Sequence, residues 1–318
     1  MKNRALVLLS GEGTSVPAAE AKSLFIAYDG ESKFRSPTPR LLLADSRADP
    51  FLIGSRIAYA RRVGVVVSGI EEAAPLLERK RVRFRAFNLK GEVLPPDPEK
   101  YLGGIDAQVD LRNPELELTL VRADEEYLAV TSPATMMQGW SLRRPRKRAF
   151  FHPAAIFPKL SRALVNMTGC KSGEVFLDPF AGTGSITIEA SMVGANVVAL
   201  DQTGAMVKGC LSNMKHFSQE WLGVVRGDST YMPLTRLDGV ATDVPYGRAS
   251  STRGLKTREI LDRFLPVVAE SMRPGSRLVL MHQKEVSVDH EQGFDLLEEH
   301  HLHVHKLLTR TISILRRK

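Results

Sequence analysis

An acid, a proline and an aromatic ring stand together where an apolar run of this sequence ends. The run Gly239–Ala241 leads into Thr242-Asp243-Val244-Pro245-Tyr246-Gly247. A carboxylate accepts hydrogen bonds, and a tyrosine ring can stack on a flat group. Asp, Pro and Gly are also ordinary turn residues, so this stretch alone permits either a plain turn or a binding site. The other predicted strand ends must decide between them.

A second stretch with chemical potential is the glycine loop Asp178–Gly184, DPFAGTG. The run EVFLD leads straight into it and SITIEA follows, which predicts a strand, a tight turn and a helix. Such a succession brings backbone amides close to a ligand. The third glycine of G-x-G-x-x-G is missing and no Gly-Lys-Ser/Thr follows, which argues against nicotinamide and Walker A sites. A plain structural turn remains open.

Two further predicted strands also end in acids. The run NVVALD ends in Asp201, which lies 17 residues beyond Gly184, a spacing that suits the hydroxyls of a ribose. Asp228 and Ser229 follow WLGVVRG and could accept a hydrogen bond from an adenine amino group. Each acid could instead cap the next helix. Because the acids recur at successive strand ends, a binding site is the favoured interpretation.

The elements that would position these residues alternate between strand and helix from residue 151 onward. This alternation predicts a parallel α/β sheet, in which ligands bind beyond the carboxyl ends of the strands. The first half has short apolar runs separated by turns and predicts a mixed α+β region with one or two open sheets. The C-terminal HLHVHKLLTRTISILRRK predicts a final pair of strands.

The composition is that of a globular protein with a basic surplus. The chain has 318 residues, a formal net charge of +8 and 2 cysteines. No apolar window long enough to span a membrane occurs, and the N-terminal run predicts a first strand rather than a signal peptide. We therefore expect a reducing, cytoplasmic setting. We expect no metal site, because alternation on a strand explains His301, His303 and His305, and neither they nor His300 has a familiar ligand spacing.

The basic residues form two clusters that predict contact with a phosphate backbone. Arg81, Arg83 and Arg85 share a parity on a predicted strand and so a face. A solvated surface is the plainer alternative for each cluster. The predicted RNA-binding residues are Lys80, Arg81, Arg83, Arg85, Arg143, Arg144, Arg146, Lys147 and Arg148, with Arg248 beside the acidic motif.

In their order these motifs resemble an S-adenosylmethionine-dependent amino-methyltransferase, whose Asp/Asn-Pro-Pro-Tyr signature follows the fourth strand. The wider sequence resembles the archaeal and eukaryotic tRNA guanine-10 N2-methyltransferases, which join a THUMP RNA-binding module to that fold. The blocks LRRPRKRAFFHPAAIFPKLSRALVN, LDPFAGTGSITIEA, DQTGAMVKGCLSN and TDVPYGRASS carry the resemblance. It covers nearly the whole chain and is strongest over residues 142–250.

The resemblance implies a Rossmann-like methyltransferase domain at 151–318, preceded by a ferredoxin-like domain at 1–66, a THUMP domain at 67–135 and a basic linker at 136–150. It implies tRNA as substrate, and a small zinc-binding activator subunit as partner. The implied catalytic residues are Asp243, Val244, Pro245 and Tyr246. The implied residues for S-adenosylmethionine are His152, Pro153, Asp178, Pro179, Phe180, Ala181, Gly182, Thr183, Gly184, Asp201, Gln202, Asp228 and Ser229.

One position departs from the family. Val244 stands where the first proline of the signature is usual, so the backbone carbonyl is kept while the φ restraint of proline is lost. Two other functions stay open from the sequence. One is an amino-methyltransferase acting on rRNA or on adenine in DNA. The other is an RNA-binding protein with a degenerate methyltransferase fold, which only Val244 suggests.

Overall fold

The computed structural model describes residues 3–12, 15–91, 98–133, 139–245, 257–288, 292–305 and 308–318. The chain divides into two compact units. The first unit comprises residues 1–13 and 24–138, and the second comprises residues 14–23 and 139–318. The helix α1, Val16–Tyr28, thus contributes residues to both.

The first unit is built on an eight-stranded sheet in the order β2-β3-β1-β4-β8-β7-β5-β6. Its strands are β1 (Asn3–Leu9), β2 (Lys33–Thr38), β3 (Leu41–Ser46), β4 (Ala60–Val67), β5 (Arg81–Asn88), β6 (Gln108–Val109), β7 (Leu116–Arg122) and β8 (Glu126–Thr131). Its further helices are α2 (Pro50–Arg56), α3 (Ile70–Leu77) and α4 (Pro98–Leu102). Because β4 pairs with β8, strands from both predicted N-terminal domains share one sheet. The division of this region into two domains, and the linker after it, stay predictions.

The second unit has a seven-stranded sheet in the order β11-β10-β9-β12-β13-β15-β14. Its strands are β9 (Val175–Asp178), β10 (Asn196–Asp201), β11 (Gly223–Arg226), β12 (Leu237–Asp243), β13 (Met272–Gln283), β14 (Phe294–His305) and β15 (Leu308–Arg317). Its helices are α5 (Pro158–Thr168), α6 (Ser185–Met192), α7 (Gly204–His216) and α8 (Thr257–Ser271). The strands β9 to β13 are parallel and β15 is antiparallel, so the predicted α/β architecture and the final strand pair are confirmed.

The strand order reverses between β9 and β12, because the chain first adds β10 and β11 on one side and then β12 and β13 on the other. A reversal of this kind opens a crevice at the carboxyl ends of the strands. Three of the strands that flank it, β9, β10 and β12, end at Asp178, Asp201 and Asp243. The strand ends read from the sequence therefore meet at one edge of the sheet.

Packing of α8 on this sheet holds the end of β12 in place. Leu261, Phe264 and Leu265 of α8 are fully buried in one cluster with Leu280 of β13 and with Val244. Apolar burial of this extent makes the strand end rigid. None of the described helices is long and apolar enough to cross a membrane.

Candidate active site

A cavity of about 500 Å³ lies at the carboxyl ends of β9, β10 and β12. This volume lies in the range of small-molecule and cofactor sites, ~300–1,000 Å³. Acidic and hydroxyl side chains share its wall with apolar ones. The lining residues are His152, Ala154, Ala155, Ile156, Asp178, Phe180, Ala181, Gly182, Thr183, Ser185, Ile186, Asp201, Gln202, Thr203, Met206, Asp228, Ser229, Thr230, Asp243, Val244, Pro245, Ile260 and Arg263.

Asp178 fixes the start of the glycine loop from inside the protein. It is 1% exposed, and its two carboxyl oxygens accept hydrogen bonds from Thr242 Oγ1 at 2.9 Å and Thr187 Oγ1 at 3.4 Å. Burial raises its pKa to about 7, although these bonds and one from the Phe180 amide lower it. The side chain of Asp178 at the end of β9 therefore links this strand to β12 and α6 by hydrogen bonds at the cavity wall.

The glycine loop itself needs glycine at its close approach to α7. Gly184 has φ of 84°, and a Cβ there would lie 2.7 Å from the Cys210 sulfur. Gly182 also has a positive φ, of 53°, but a Cβ there would meet nothing within 4 Å. The helix α6 begins directly after Gly184 without a side-chain cap, so its first amides can serve a polar ligand.

Asp201 joins the end of β10 to this loop. Its two oxygens accept hydrogen bonds from the Gly182 amide at 2.9 Å and the Thr203 amide at 2.8 Å. Each carboxylate oxygen keeps a second lone pair. Asp201 thus supports the loop and still has acceptor capacity for a hydroxyl group in the cavity.

After β11, Asp228 and Ser229 reach the same cavity in different ways. Asp228 is exposed, and its Oδ1 accepts bonds from the amide and hydroxyl of Thr230 at 2.9 and 2.8 Å. Ser229 is 1% exposed, and its hydroxyl has no hydrogen-bond partner among the described residues. A buried hydroxyl without a partner is costly, so this one is suited to meet a bound molecule.

Asp243 presents an acceptor of the same kind. Its Oδ2 accepts a hydrogen bond from Arg310 Nη1 at 2.8 Å, while its Oδ1 is buried and has no partner in the described part of the chain. Burial raises the pKa of Asp243 to about 6, and the nearby Arg310 acts in the opposite direction. The cavity wall therefore contains a carboxylate that is paired with an arginine through one oxygen and can accept a hydrogen bond through the other.

Val244, which replaces the usual first proline of the family signature, makes a hydrogen bond that proline could not make. The Val244 amide donates a hydrogen bond of 2.8 Å to the Met281 carbonyl of β13, which proline could not do. The next residue is held as well, because the Pro245 carbonyl accepts a bond of 3.1 Å from Thr257 Oγ1. The hydrogen bond of Val244 thus replaces the lost φ restraint. Tyr246 and Arg248 lie outside the described residues.

The predicted cofactor residues mostly line the cavity, and the structure adds others. Pro153, Pro179 and Gly184 do not line it. Ile260 and Arg263 of α8 line it without having been predicted, as do Ala154–Ile156, Ser185, Ile186, Thr203, Met206 and Thr230. Arg310 contacts Asp243 and was also missed, because only the antiparallel register of β13 and β15 brings it there.

The basic run at 142–148 has two kinds of arginine. Arg144, Arg146 and Lys147 are exposed, and their contact with phosphates stays a prediction. Arg143 and Arg148 are each only 7% exposed. Their burial is at odds with the prediction that they bind RNA directly.

Each buried arginine has partners inside the second unit. Arg143 is hydrogen-bonded to Glu189 at 2.7 Å. Arg148 bonds to Ser185 Oγ at 2.6 Å and to the carbonyls of Arg143 and Ile156, and burial lowers its pKa to about 10. Both therefore serve the internal structure near the start of α6.

The basic strand β5 shows the predicted alternation, with one exception. Lys80, Arg81 and Arg85 are exposed, and Val82 and Phe84 are buried between them. Arg83 lies on the exposed face but is itself only 14% exposed, because it is paired with the fully buried Glu117. Arg83 donates a bond of 2.8 Å to the Leu111 carbonyl as well. It therefore belongs to a buried ion pair rather than to a free basic face.

The histidines of β14 take part in hydrogen bonds within the second unit. His300 is 7% exposed and shares a bond of 2.7 Å with Ser15 Oγ, while His301 and His303 are exposed. Within the described ranges, no group of three or more His, Cys, Asp or Glu side chains could hold a metal ion. The side chain of His305 lies outside the description.

The second unit, with its cavity, contains a methyltransferase domain. Residues 145–307, about half of the chain, match the model of the UPF0020 family, the RMKL-like methyltransferase domain, and the chain belongs to that family. The resemblance drawn from the motifs is thereby confirmed at family level. The methyl donor of this methyltransferase family is S-adenosylmethionine.

Curated relatives and a solved structure resemble the chain over most of its length. The tRNA (guanine(10)-N2)-dimethyltransferase of Methanothermobacter thermautotrophicus is 29% identical over 98% of this chain and 99% of its own. The protein of the same name from Methanocaldococcus jannaschii is 28% identical over 69% of this chain and 64% of its own. The crystal structure of TrmN from Thermus thermophilus shares the fold, with a TM-score of 0.52, 19% identity, and coverage of 99% and 100%.

Proposed function

We propose that this protein transfers a methyl group from S-adenosylmethionine to the exocyclic N2 amine of a guanosine in tRNA. The relatives' names support position 10, with N2-methylguanosine or N2,N2-dimethylguanosine as product. The observation that carries the proposal is the Oδ1 of Asp243 in the cavity wall, which is buried and has no hydrogen-bond partner among the described residues. An acceptor in that position matches an N–H donor.

The chemistry requires orientation more than proton transfer. The lone pair of guanine N2 is delocalised into the ring, so the amine must be turned and held in line with the methyl donor. Asp243 Oδ1 and the Val244 carbonyl would accept hydrogen bonds from its two hydrogens and favour a tetrahedral nitrogen. After methyl transfer the nitrogen would lose one of these protons to Asp243 or to water. Tyr246 would stack on the base, a contact worth ~1–3 kcal/mol. The bonds made by Val244 and Pro245 to neighbouring elements keep this acceptor pair rigid.

The other side of the cavity fits the methyl donor, which supplies an electrophilic methyl group when bound. Asp201 has acceptor capacity for the ribose hydroxyls. The Ser229 hydroxyl, which has no partner in the part of the chain that the structure describes, would meet the adenine together with Asp228. The glycine loop and the first amides of α6 would hold the methionine part. These residues bind and orient the donor, while Asp243 serves the acceptor base.

A guanosine in a folded tRNA must leave its stack to reach such a cavity, at a cost of a few kcal/mol. Contacts with phosphates would offset that cost, and the exposed basic residues support this role. They are Arg144, Arg146 and Lys147 in the second unit, and Lys80, Arg81 and Arg85 in the first. Arg81 is paired with Glu115 at 3.4 Å, but both side chains are exposed enough for a phosphate to compete.

We further propose the small zinc-binding activator that the family resemblance implies as a partner of the second unit. β11 is an edge strand of the sheet. Val225 in this strand is 48% exposed, and Leu222 directly before it is 62% exposed. An edge strand with exposed apolar side chains can pair with a strand of another protein. We expect the activator subunit to co-purify with the parent protein and not with Val225→Glu. Equal recovery of the subunit with both proteins would exclude this edge as its binding site. We place the protein in the cytoplasm, which agrees with Cys170 and Cys210 being buried and forming no disulfide in the described residues.

The test is the kinetics of Asp243→Asn on tRNA lacking modifications. Removing the carboxylate should lower kcat about 100-fold or more. Affinity for S-adenosylmethionine, measured by calorimetry, should stay within about twofold, because that ligand meets other residues. Asp295→Asn is the control, since Asp295 pairs with Arg316 at 2.9 Å on the exposed edge of the sheet. Unchanged turnover in Asp243→Asn would remove Asp243 from the reaction.

A further inference from the structure

Arg310 reaches the candidate catalytic carboxylate from a distant part of the chain. In the sheet, β13 lies between β12 and β15, with Asp243 opposite Met281 and Arg310 opposite Gln283. The Arg310 side chain extends over this strand, and its Nη1 lies 2.8 Å from Asp243 Oδ2 and 3.7 Å from the Met281 sulfur. Both partners are largely buried, with side-chain exposures of 12% for Arg310 and 17% for Asp243.

The charges around the cavity make this contact significant. The other titratable or charged side chains lining it come from separate elements: His152, Asp178, Asp201, Asp228 and Arg263. The pKa of Asp243 is raised by burial, and Arg310 is the group that lowers it, through its charge and its hydrogen bond. Because burial opposes a charge on Asp243 and Arg310 favours it, the ionised carboxylate depends on Arg310.

We propose that Arg310 is a positioning residue for methyl transfer, which holds Oδ2 of Asp243 and keeps the carboxylate ionised so that Oδ1 faces the substrate as an acceptor. The assignment of Oδ1 to the substrate rests on the proposed function. A protonated aspartic acid would present an O–H donor and clash with an amine hydrogen. Arg310 thereby favours substrates that donate a hydrogen, such as an amine, over carbonyls and ring nitrogens without a hydrogen, which would need a donor.

The direct test follows the ionisation of Asp243 itself. The protein is labelled with ¹³C at its aspartate side-chain carboxyls, and the Asp243 signal is identified by its loss in Asp243→Asn. In the parent, the carboxyl should titrate with a pKa of about 6. In Arg310→Met the pKa should rise by about 1–3 pH units, the usual effect of losing an opposite charge at this distance. Arg310→Lys should restore most of the parent value.

The matched control is Arg316→Met, the same substitution on the same strand. Arg316 pairs with Asp295 at 2.9 Å, away from the cavity, and its loss should leave the titration of Asp243 unchanged. If Asp243 titrates in Arg310→Met as it does in the parent, the proposal is overturned. The titration of Asp243 requires no catalysis. If the parent protein fails to methylate tRNA, the proposed function is refuted, but the titration still tests whether Arg310 keeps Asp243 ionised.

The pH profile of kcat gives an independent second readout. An acceptor carboxylate works above its pKa, and activity is lost as the pH falls through it. The acidic limb should therefore lie near pH 6 in the parent and move to higher pH in Arg310→Met. The loss of activity should be largest at low pH and shrink as the pH rises. A loss by the same factor at every pH would show that Arg310 does not act through the ionisation of Asp243.

Discussion

Replacing Arg143 by alanine should destabilise the protein much more than replacing its neighbour Arg144, although both belong to one basic run. Arg143 Nε and Nη2 lie 2.7 and 3.3 Å from the two carboxyl oxygens of Glu189. Its guanidinium carbon also lies 4.8 Å from the centre of the Trp140 ring. Arg144 is exposed and precedes a short 3-10 turn, so its side chain faces solvent.

The size of the effect follows from what remains after the substitution. Removing one partner of a buried ion pair costs ~3–5 kcal/mol. Arg162 still neutralises Glu189 at 2.8 Å, so we expect the lower end, about 3 kcal/mol. An exposed substitution costs within ~0.5 kcal/mol. At ~2–4 °C per kcal/mol for a unit of this size, Arg143→Ala should lower Tm by about 6–12 °C and Arg144→Ala by less than about 2 °C.

Thermal unfolding followed by circular dichroism, with each variant at equal concentration, measures this difference. Arg143→Lys should fall between the two alanine variants, because lysine keeps the charge and loses the paired hydrogen bonds and the flat stacking surface. Equal Tm values for Arg143→Ala and Arg144→Ala would refute the division of this run into structural and exposed arginines.

Three other outcomes are expected. Asp201→Ala should weaken S-adenosylmethionine binding about 10- to 100-fold by calorimetry, since a charge-assisted hydrogen bond is lost; an unchanged Kd would exclude the ribose assignment. Val244→Pro should lower stability by about 1–3 kcal/mol in thermal unfolding, because the Met281 carbonyl loses its donor; a variant as stable as the parent would show that this bond contributes nothing. Removing Arg144, Arg146 and Lys147 together should reduce the salt dependence of tRNA binding by roughly one log unit of slope per lost contact, with S-adenosylmethionine affinity retained; an identical slope would mean that tRNA binds elsewhere.

The sequence pattern could locate the strand ends of the second unit because their signals are local. Apolar runs closed by Asp178, Asp201 and Asp243 are visible within a few residues, and parallel topology then brings their ends together. The glycine loop is local in the same way. Most of the cavity wall could therefore be predicted.

Contacts between residues that lie far apart in the sequence could not be predicted from these local patterns. Arg310 reaches Asp243 only through the register of β13 and β15, and Arg143 is buried where it pairs with Glu189 of α6, 46 residues along the chain. Neighbouring arginines look alike in a sequence, yet their burial depends on residues far along the chain. The pairing of β4 with β8 in the first sheet has the same non-local origin.

The central claim is that the exocyclic amine of a guanosine is the nucleophile. Two tRNA transcripts test it, one with guanosine at position 10 and one with inosine there, which lacks only the N2 amine. Nucleoside mass spectrometry after incubation with the protein and S-adenosylmethionine should show N2-methylguanosine or N2,N2-dimethylguanosine from the first and no methylated nucleoside from the second. Equal methylation of the inosine transcript, or a guanosine methylated at a ring nitrogen, would contradict the account.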